Sequence, residues 1–456
     1  MDGWQAKVLE KLPLAEAVLQ AWCYLTDEEF LGEVFSRHHG RSYTGILSFG
    51  TLVRLTGDAL LEHSGSGHRA FQQAHRREEL DATMEACYGK LRRVPQSLSH
   101  GFLVAGSQRL RPVLARTTTS LPKSLRQFEL LAIDGKKIKQ AAKRLLAARK
   151  FHGSVLGGKA LVALCLRTGL VVAMSSSLDG EANDPPLVPD LLAQVRSVLP
   201  QPRLYVLDRQ FCDLKLPGLL TEAGDHYVIR YHAKVTFTPD RAQRVRRGTD
   251  RHGRKFKEEW GWLGRPAARH RRYVRRITLV RPGQESIVIV TDLLDAKVYP
   301  GGDLLELYRQ RWGIERVFQQ ITEVFHLSHL IASTPQGTIF QCAFCLLLYN
   351  LLQTQRSYLA QEQSLEPEAI SLENLFYDVC RQLIAWHELL GYSWTVRHLP
   401  RVTTALQLSR NLHRLLDNTW HDDWLKARKT NYRTPPPKQS AAGGHTSIYR
   451  LMQKNL

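Results

Sequence analysis

The sequence predicts a mixed α/β fold, with helical regions before and after a central sheet. Two apolar runs, "FELLAID" and "RLYVLD", each end at an aspartate and indicate strands of that sheet. A hairpin pattern and helical patterns alternate with these runs, which favours a mixed sheet with helices on its faces. Amphipathic periodicity at both ends of the chain predicts the flanking helices.

Residues 1–125 are predicted to be helical. "PLAEAVLQAWCYL" and "DEEFLGEVF" are amphipathic, and Pro95 separates two further helices. Basic residues such as Arg76 and Lys90 suit a DNA-reading helical module. A helical scaffold with a solvated basic face explains them equally well. "TTTSLPKS" is predicted to be the linker that ends this region.

Residues 126–231 are predicted to be the first part of the sheet domain. Its strands end at Asp134 and Asp208, with a hairpin at Thr168-Gly169 between them. "NDPPLVPDLLAQVRSVL" predicts a helix opened by Asn, Asp and Pro. The acids in "LDGEANDPP" are either an outer acidic cluster or loop and N-cap residues; they are Asp179, Glu181 and Asp184.

Residues 232–300 are predicted to interrupt the sheet with a basic β-strand insertion. Within residues 241–281, 15 Arg and Lys residues accompany 3 Asp and Glu residues, a net charge of 15 − 3 = +12. Aromatic residues lie among them, and alternating runs such as "RYVRRITLV" indicate strands. The insertion is therefore a candidate nucleic-acid surface, with a solvated β arm as the alternative.

The last third of the chain is predicted to be helical apart from its end. "GGDLLELYRQRWGIERVFQQITEVF" predicts one helix of about two dozen residues within residues 301–340. Residues 341–425 are predicted to be helical. Their apolar run "CAFCLLLYNLL" is too short to span a bilayer and is predicted to be a buried helix. Residues 426–456 are rich in Pro, Gly and basic residues, which predicts a flexible basic tail.

The whole chain of 456 residues has a formal net charge of +20 and an isoelectric point near 9.8. Such a charge implies a polyanionic partner, with nucleic acid as the first expectation and an anionic membrane surface as the alternative. Seven scattered cysteines fit a reducing cytoplasm, and the N-terminus has no signal-peptide pattern.

Three acids on separate elements form the candidate catalytic group. Asp134 and Asp208 each close a strand, and strands lying side by side would bring both to one cation. Glu315 shares a helix face with Tyr308 and Arg311, because the steps are three and four residues. Three carboxylates suit Mg²⁺, and a pair of ions would activate a nucleophile at a phosphodiester. Turn capping by each aspartate and a solvated Arg311–Glu315 ion pair are the alternatives.

These motifs resemble those of a DDE transposase of the insertion-sequence-four group, over roughly residues 125–350. "AIDGKK" resembles the strand of the first aspartate, and "VLDRQF" resembles that of the second. The group's signature is Tyr, two residues, Arg, three residues, Glu, six residues, Lys; the chain matches it up to the Glu and has Thr322 at the Lys position. The resemblance implies an RNase H-like core with the segment 232–300 as its β-strand insertion.

The resemblance also implies roles for individual residues. Asp134, Asp208 and Glu315 would be the catalytic metal ligands, with Mg²⁺ as cofactor and Mn²⁺ as a possible substitute. Tyr308 and Arg311 would hold DNA phosphates, and Trp312 would either pack below the site or stack on DNA. The other residues predicted to contact DNA are Lys136, Arg246, Arg247, Arg254, Trp260, Trp262, Arg271 and Arg272, although Lys136 could equally lie in a solvated turn and the tryptophans could pack within the sheet.

The predicted function is a DNA transposase that binds the inverted-repeat ends of its own element. It would cleave DNA and transfer strands by metal-dependent chemistry, as a cut-and-paste enzyme. Its partners would be double-stranded DNA at the ends and target and a second copy of itself, without a membrane. The expected location is the bacterial cytoplasm, in association with the nucleoid. The alternatives are a nuclease without strand transfer and a domesticated, transposase-derived DNA-binding protein.

Overall fold

A computed structural model gives the arrangement of most of the chain. It describes residues 3–40, 42, 45, 47–117, 120–138, 146–391, 395, 398–427 and 444–454. A ten-stranded mixed sheet lies among helices that precede it, connect its strands and follow it. The predicted α/β fold class, with helical N- and C-terminal regions, is confirmed.

Among the described residues of the N-terminal region there are seven α-helices. Side-chain oxygens of Ser48, Ser66 and Thr83 cap three of them by accepting hydrogen bonds from backbone amides in the first turn. Pro95 precedes the seventh helix, so the predicted helix break at this proline is confirmed. The helices are α1 (Gly3–Lys11), α2 (Pro13–Leu25), α3 (Glu28–His38), α4 (Phe49–Leu61), α5 (Gly67–Arg76), α6 (Met84–Leu91) and α7 (Gln96–Leu110).

The core of the domain comprises the strands β1 (Glu129–Ile138), β2 (Ser154–Leu156), β3 (Gly158–Cys165), β4 (Val171–Ser177), β5 (Arg203–Leu207) and β6 (His226–Arg230). Five of them follow the order β4-β3-β1-β5-β6 in the large sheet. β4, β3 and β1 are antiparallel neighbours, whereas β1, β5 and β6 are parallel. This order fits the RNase H-like core that the resemblance implied. The helices between these strands are α8 (Leu146–Arg149), α9 (Val188–Val198) and α10 (Leu216–Thr221).

The register of β1 and β5 brings the two candidate aspartates to one edge of the sheet. Ile133 lies beside Leu207 in the parallel pair of strands. Asp134 directly follows Ile133, and Asp208 directly follows Leu207. Leu131 and Ile133 face α9, in the same buried cluster as Leu191 and Val195. Because successive strand residues point to opposite faces, Asp134 lies on the other side of the sheet from α9.

The insertion continues the core sheet. Its strands are β7 (Phe237–Pro239), β8 (Arg246–Thr249), β9 (Lys255–Leu263), β10 (Arg272–Leu279) and β11 (Ile287–Thr291). β11 pairs antiparallel with β6, with Val290 beside Ile229, and β10, β9 and β7 follow outward. The expectation that the insertion interrupts the sheet was therefore wrong. Its strands cover the backbone edge of β6, which would otherwise be open for pairing.

The predicted long helix is broken at Arg311. It consists of α11 (Gly301–Gln310) and α12 (Trp312–Glu323), so the expectation of one continuous helix was wrong. Around the break, Arg311 donates its amide to Tyr308 and Ile314 donates to Arg311, a tighter spacing of three residues instead of four. Arg311 therefore lies at the junction of the two helices.

The longest helix is the centre of the C-terminal region. α13 (Pro335–Glu362) is long and apolar enough to cross a membrane, but its most apolar window is wholly buried in the fold. Asn350, in its middle, bonds both the amide and the carbonyl of Val171 in β4, at 2.8 and 2.7 Å. The predicted burial of the run "CAFCLLLYNLL" is confirmed. α14 (Leu372–Leu389) and α15 (Ala405–Leu416) pack against it.

Part of the predicted flexible tail is folded onto the core. β12 (His445–Ser447) pairs in parallel with β2, and α16 (Ile448–Gln453) follows it. The Arg450 guanidinium pairs with the carboxylates of Asp179 and Glu181 beyond β4. The expectation of a flexible tail was wrong for these residues, because the basic residue has an acidic turn to bind. Residues 428–443 and 455–456 of the predicted tail lie outside the described residues.

Candidate active site

Asp134 is the sixth of the ten residues of β1 and lies beside the carboxyl edge of β5. The prediction that Asp134 ends its strand was wrong, because the antiparallel pairing of β1 with β3 continues to Ile138. One carboxylate oxygen accepts a hydrogen bond from the Gly135 amide at 2.9 Å, and the other faces Arg311 Nη1 at 3.3 Å. Burial raises the pKa of Asp134 to about 6, against the opposing effect of the Arg311 charge; the negative charges of Glu315 and Asp208 raise it further. The three acids are therefore close enough to interact electrostatically.

Asp208 lies beside Asp134, at the end of β5. A short 3₁₀ turn of residues 209–211 follows it. The Tyr308 hydroxyl, on α11, donates a long hydrogen bond of 3.5 Å to Asp208 Oδ1. Burial raises the pKa of Tyr308, so the phenol stays protonated and able to donate.

Arg311 joins the third acid to the first. Its Nη2 donates to Glu315 Oε1 at 2.8 Å, while its Nη1 faces Asp134. The side chain is only 5% exposed, compared with 36% for the Glu315 side chain. Tyr308 and Trp312 lie on either side of it, with ring centres 5.9 and 5.7 Å from the guanidinium carbon. The Tyr-Arg-Glu motif at the break between α11 and α12 thus lies around Asp134, within β1, and Asp208, directly after β5.

The donor atoms of this group suit a hard divalent cation. All three side chains are carboxylates, the ligand type that Mg²⁺ and Mn²⁺ prefer, and none is a thiol or an imidazole. As the side chains stand, the described residues contain no group of three His, Cys, Asp or Glu side chains spaced to hold a metal ion. The Arg311 guanidinium bonds Asp134 and Glu315.

The other predicted residues near this edge have different surroundings. The Lys136 ammonium donates to the carbonyl of Phe318 at 3.4 Å. Thr322, at the lysine position of the signature, donates its hydroxyl to the same carbonyl at 2.6 Å. Trp312 is 55% exposed and is available for contact with a partner. Tyr308 and Arg311, in contrast, are buried among the acids.

The arginines predicted to bind DNA in the insertion divide into two groups. Arg246 and Arg247, on β8, are exposed. Arg254 is paired with the buried carboxylate of Asp250 at 2.7 Å. Arg272 is paired with Glu222 at 2.9 Å, which ties the insertion to the end of α10. The paired arginines have a structural contact in addition to any role at a DNA surface.

The two insertion tryptophans also differ. The Trp260 indole donates to the Leu294 carbonyl at 2.9 Å, so its polar edge is used within the protein. Trp262 is 37% exposed and packs edge-on against Tyr273. The Arg271 guanidinium lies 4.4 Å from the centre of the Trp262 ring, a distance that suits a cation–π contact. Trp262 and Arg271 thus form a partly exposed pair.

The sequence analysis did not predict the ion pairs of two buried acids, Glu306 and Asp184. Glu306, on α11, is paired with Arg251, His252 and Arg309 and has a side chain only 4% exposed. Asp184 was interpreted as a loop or N-cap residue, but its side chain caps no amide and instead pairs with the buried Lys159. A lysine inside the apolar run "GKALVALC" was the available signal, because a buried ammonium requires an acidic partner.

The fold and this edge define a class of protein: an α/β domain with three converging carboxylates and a basic β insertion. Residues 126–351 match the family model of the transposase DDE domain. The cryo-EM structure of the piggyBac transposase synaptic complex with hairpin DNA is similar at a TM-score of 0.43 and 11% identity, covering 92% of this chain and 91% of that one. The search of curated proteins finds no match. The matched segment, slightly less than half of the chain, is similar to the transposase DDE domain, in agreement with the broader resemblance; the insertion-sequence-four group remains a prediction.

Proposed function

We propose that the chain is a DNA transposase whose catalytic acids are Asp134, Asp208 and Glu315. The observation that supports this most is their convergence from β1, β5 and α12 onto the surroundings of one arginine, within a transposase DDE domain. Sequence separations of 74 and 107 residues make that convergence a property of the fold, since no local motif would produce it. The proposed activity is cleavage at the inverted-repeat ends of a mobile element, followed by strand transfer.

The three acids would hold Mg²⁺ or Mn²⁺, which would supply an activated nucleophile and stabilise the leaving oxygen of the phosphodiester. In the absence of DNA, the Arg311 guanidinium pairs with both Asp134 and Glu315 and so compensates their negative charges. In the active complex, Arg311 would turn to a DNA phosphate. Tyr308 would orient Asp208 through its hydroxyl. No side chain has to attack the DNA, so the proposal includes no covalent link between protein and DNA.

DNA would contact the chain at this edge and along the insertion. Lys136 and Thr322 share the carbonyl of Phe318, so the Lys136 ammonium lies close to the position where the signature has its lysine. We infer that Lys136 supplies the cation that Thr322 cannot. Arg246 and Arg247 would add phosphate contacts from the insertion. Holding two element ends at once would require a dimer in the DNA complex.

The test uses double-stranded DNA that carries the sequence flanking the gene, with Mg²⁺ or Mn²⁺. Glu315→Gln is compared with wild type and with Glu323→Gln, an exposed acid two turns further along α12 that serves as the matched control. We expect metal-dependent cleavage and joining by wild type and by the control, and DNA binding without cleavage by Glu315→Gln. Cleavage without joining would support a nuclease. Binding without cleavage by wild type would support the domesticated DNA-binding protein.

A further inference from the structure

A buried charged cluster lies directly behind the catalytic edge. Gly135 follows Asp134 in β1 and therefore faces the opposite side of the sheet. The Asp184 carboxylate lies against Gly135: a Cβ added to this glycine would be 2.2 Å from Asp184 Oδ1 and 2.4 Å from Oδ2. The acid occupies the space that any side chain at position 135 would need.

Asp184 also contacts elements on both sides of β1. Its Oδ1 pairs with the Lys159 ammonium of β3 at 2.6 Å. Its Oδ2 accepts a hydrogen bond of 2.6 Å from the side-chain amide of Gln210, in the turn that begins after Asp208. One carboxylate therefore connects the residue after Asp134 with the turn after Asp208.

The burial of this pair gives the contact a fixed geometry. The side chains of Lys159 and Asp184 are only 8% and 4% exposed. Removing two charges from water is costly, so such a pair is a poor source of net stability, but breaking it leaves one charge buried without a partner. Because separating Asp184 from Lys159 would be energetically unfavourable, we expect the Asp184 carboxylate to stay in contact with Gly135 and Gln210.

We propose that Asp184 is a positioning residue that fixes the Asp134 and Asp208 carboxylates relative to each other from the back of the sheet. It acts through Gly135 and Gln210 and contacts neither the DNA nor the bound cation. The inference deepens the proposed function and rests on it, because it assigns Asp184 to the same cation site. Partners that orient metal ligands in this way typically change metal affinity about 10–100-fold when they are removed.

The matched control is the buried acid at the other end of the same strands. Asp225 precedes β6 and pairs with Arg203, the first residue of β5, at 2.7 Å; both side chains are at most 5% exposed. The five-residue strand β5 begins at Arg203 and, at about 3.3 Å per residue, separates this pair from Asp208. Asp225 also pairs with Arg196 at 2.8 Å. Asp225→Asn therefore removes a buried carboxylate from its ion pairs, as Asp184→Asn does, but at a distance from the three proposed catalytic acids.

Two measurements on the full-length protein distinguish positioning from general stabilisation. The first is hydrogen exchange without metal, in the segments around residues 134–136 and 209–211. The second is the Mn²⁺ requirement, measured as the Mn²⁺ concentration at half-saturation. It is determined by calorimetry for Mn²⁺ binding and by activity for DNA cleavage. We expect Asp184→Asn to speed exchange in these two segments roughly tenfold and to raise the Mn²⁺ requirement about 10–100-fold, with DNA affinity unchanged. Both Asp184→Asn and Asp225→Asn should lower the melting temperature by a similar amount. Asp225→Asn should change neither the exchange rates in these two segments nor the Mn²⁺ requirement.

Equal effects of Asp184→Asn and Asp225→Asn on exchange and on Mn²⁺ would overturn the inference and leave the proposed function intact. Wild type that neither binds Mn²⁺ nor cleaves DNA would overturn both. Gln210→Ala covers the case in which Asp184→Asn does not fold, because it removes only an exposed residue's hydrogen bond to Asp184. It should speed exchange at residues 209–211 and raise the Mn²⁺ requirement several-fold; an unchanged Mn²⁺ requirement would overturn the inference.

Discussion

At the edge of the core sheet, one arginine lies among three acids, whereas residues 241–281 of the insertion contain 15 basic residues and 3 acids. Arg311 is almost fully buried and is held by Asp134 and Glu315. In the insertion, Arg275 is buried with Glu258, while Arg246 and Arg247 are exposed on β8. Composition therefore identifies a basic region, but only the packing separates arginines that hold the fold from arginines that face a partner.

The largest effect is expected where a buried arginine of the insertion loses its partner. Glu258 Oε1 pairs with Arg275 Nη2 at 2.9 Å, and the side chains are 5% and 0% exposed. Glu258→Gln leaves the Arg275 charge buried without a counter-charge, which should lower the free energy of unfolding by about 3–5 kcal/mol. Chemical denaturation monitored by tryptophan fluorescence measures this change.

The neighbouring pair on the same strands provides the control. Arg276 and Glu259 also form an ion pair, at 2.8 Å, but their side chains are 19% and 11% exposed. Because water screens this pair more, Glu259→Gln should cost clearly less than Glu258→Gln. Equal losses would contradict the division between buried and surface-facing arginines.

The next effect concerns the Lys136 ammonium, two residues after the proposed catalytic acid Asp134. Lys136→Ala should weaken binding of end DNA about tenfold, because one charge-assisted contact worth about 1.5 kcal/mol is lost. Thr322→Lys in the Lys136→Ala background should restore most of this affinity, since a lysine at 322 would approach the same region from α12. Fluorescence anisotropy with a labelled end fragment measures the affinities. A double variant that binds no better than Lys136→Ala would show that the two positions do not serve the same phosphate.

A smaller effect is expected from the exposed arginines of the insertion. Arg246→Gln with Arg247→Gln should reduce the slope of log affinity against log salt by about 2, roughly one unit for each lost phosphate contact. Arg254→Gln is the control, because Asp250 already neutralises that arginine. A slope that falls as much for Arg254→Gln as for one exposed arginine would mean that the Asp250 pair opens on DNA.

The sequence predicted the elements of the site better than it predicted their connections. The apolar runs before Asp134 and Asp208 correctly predicted two strands, and the parallel pairing of these strands places both acids side by side. The run before Asp134 did not show where its strand ends, because β1 continues to Ile138. The break at Arg311 could not be predicted, since no proline marks it and the periodicity continues across it. Helical periodicity alone therefore overestimated the length of this helix.

Contacts between residues far apart in the chain also could not be predicted from the sequence. Asp184 looked like a helix-opening residue because Pro185 and Pro186 follow it, and its pairing with Lys159 depends on how β3 packs beside β1. The joining of β11 to β6 likewise depends on an open strand edge, a property of the assembled sheet that no local pattern encodes. Individual residue types predicted chemistry, whereas the partners of those residues required the fold.

The smallest effect is expected at the junction between the core and the insertion, where His226 of β6 bonds Asp292 after β11 at 2.6 Å. This hydrogen bond raises the pKa of His226, with burial opposing it. A histidine whose pKa is raised on folding contributes stability that is present below its unfolded pKa of about 6.5 and is lost as the pH rises through the folded value. The side chain is 34% exposed, so the contribution should be below about 1 kcal/mol. The melting temperature of His226→Gln should differ from that of wild type more at pH 5.5 than at pH 8.5. A difference that grows with pH would mean that the neutral imidazole stabilises the junction and that the positive charge of His226 plays no part in joining the two regions.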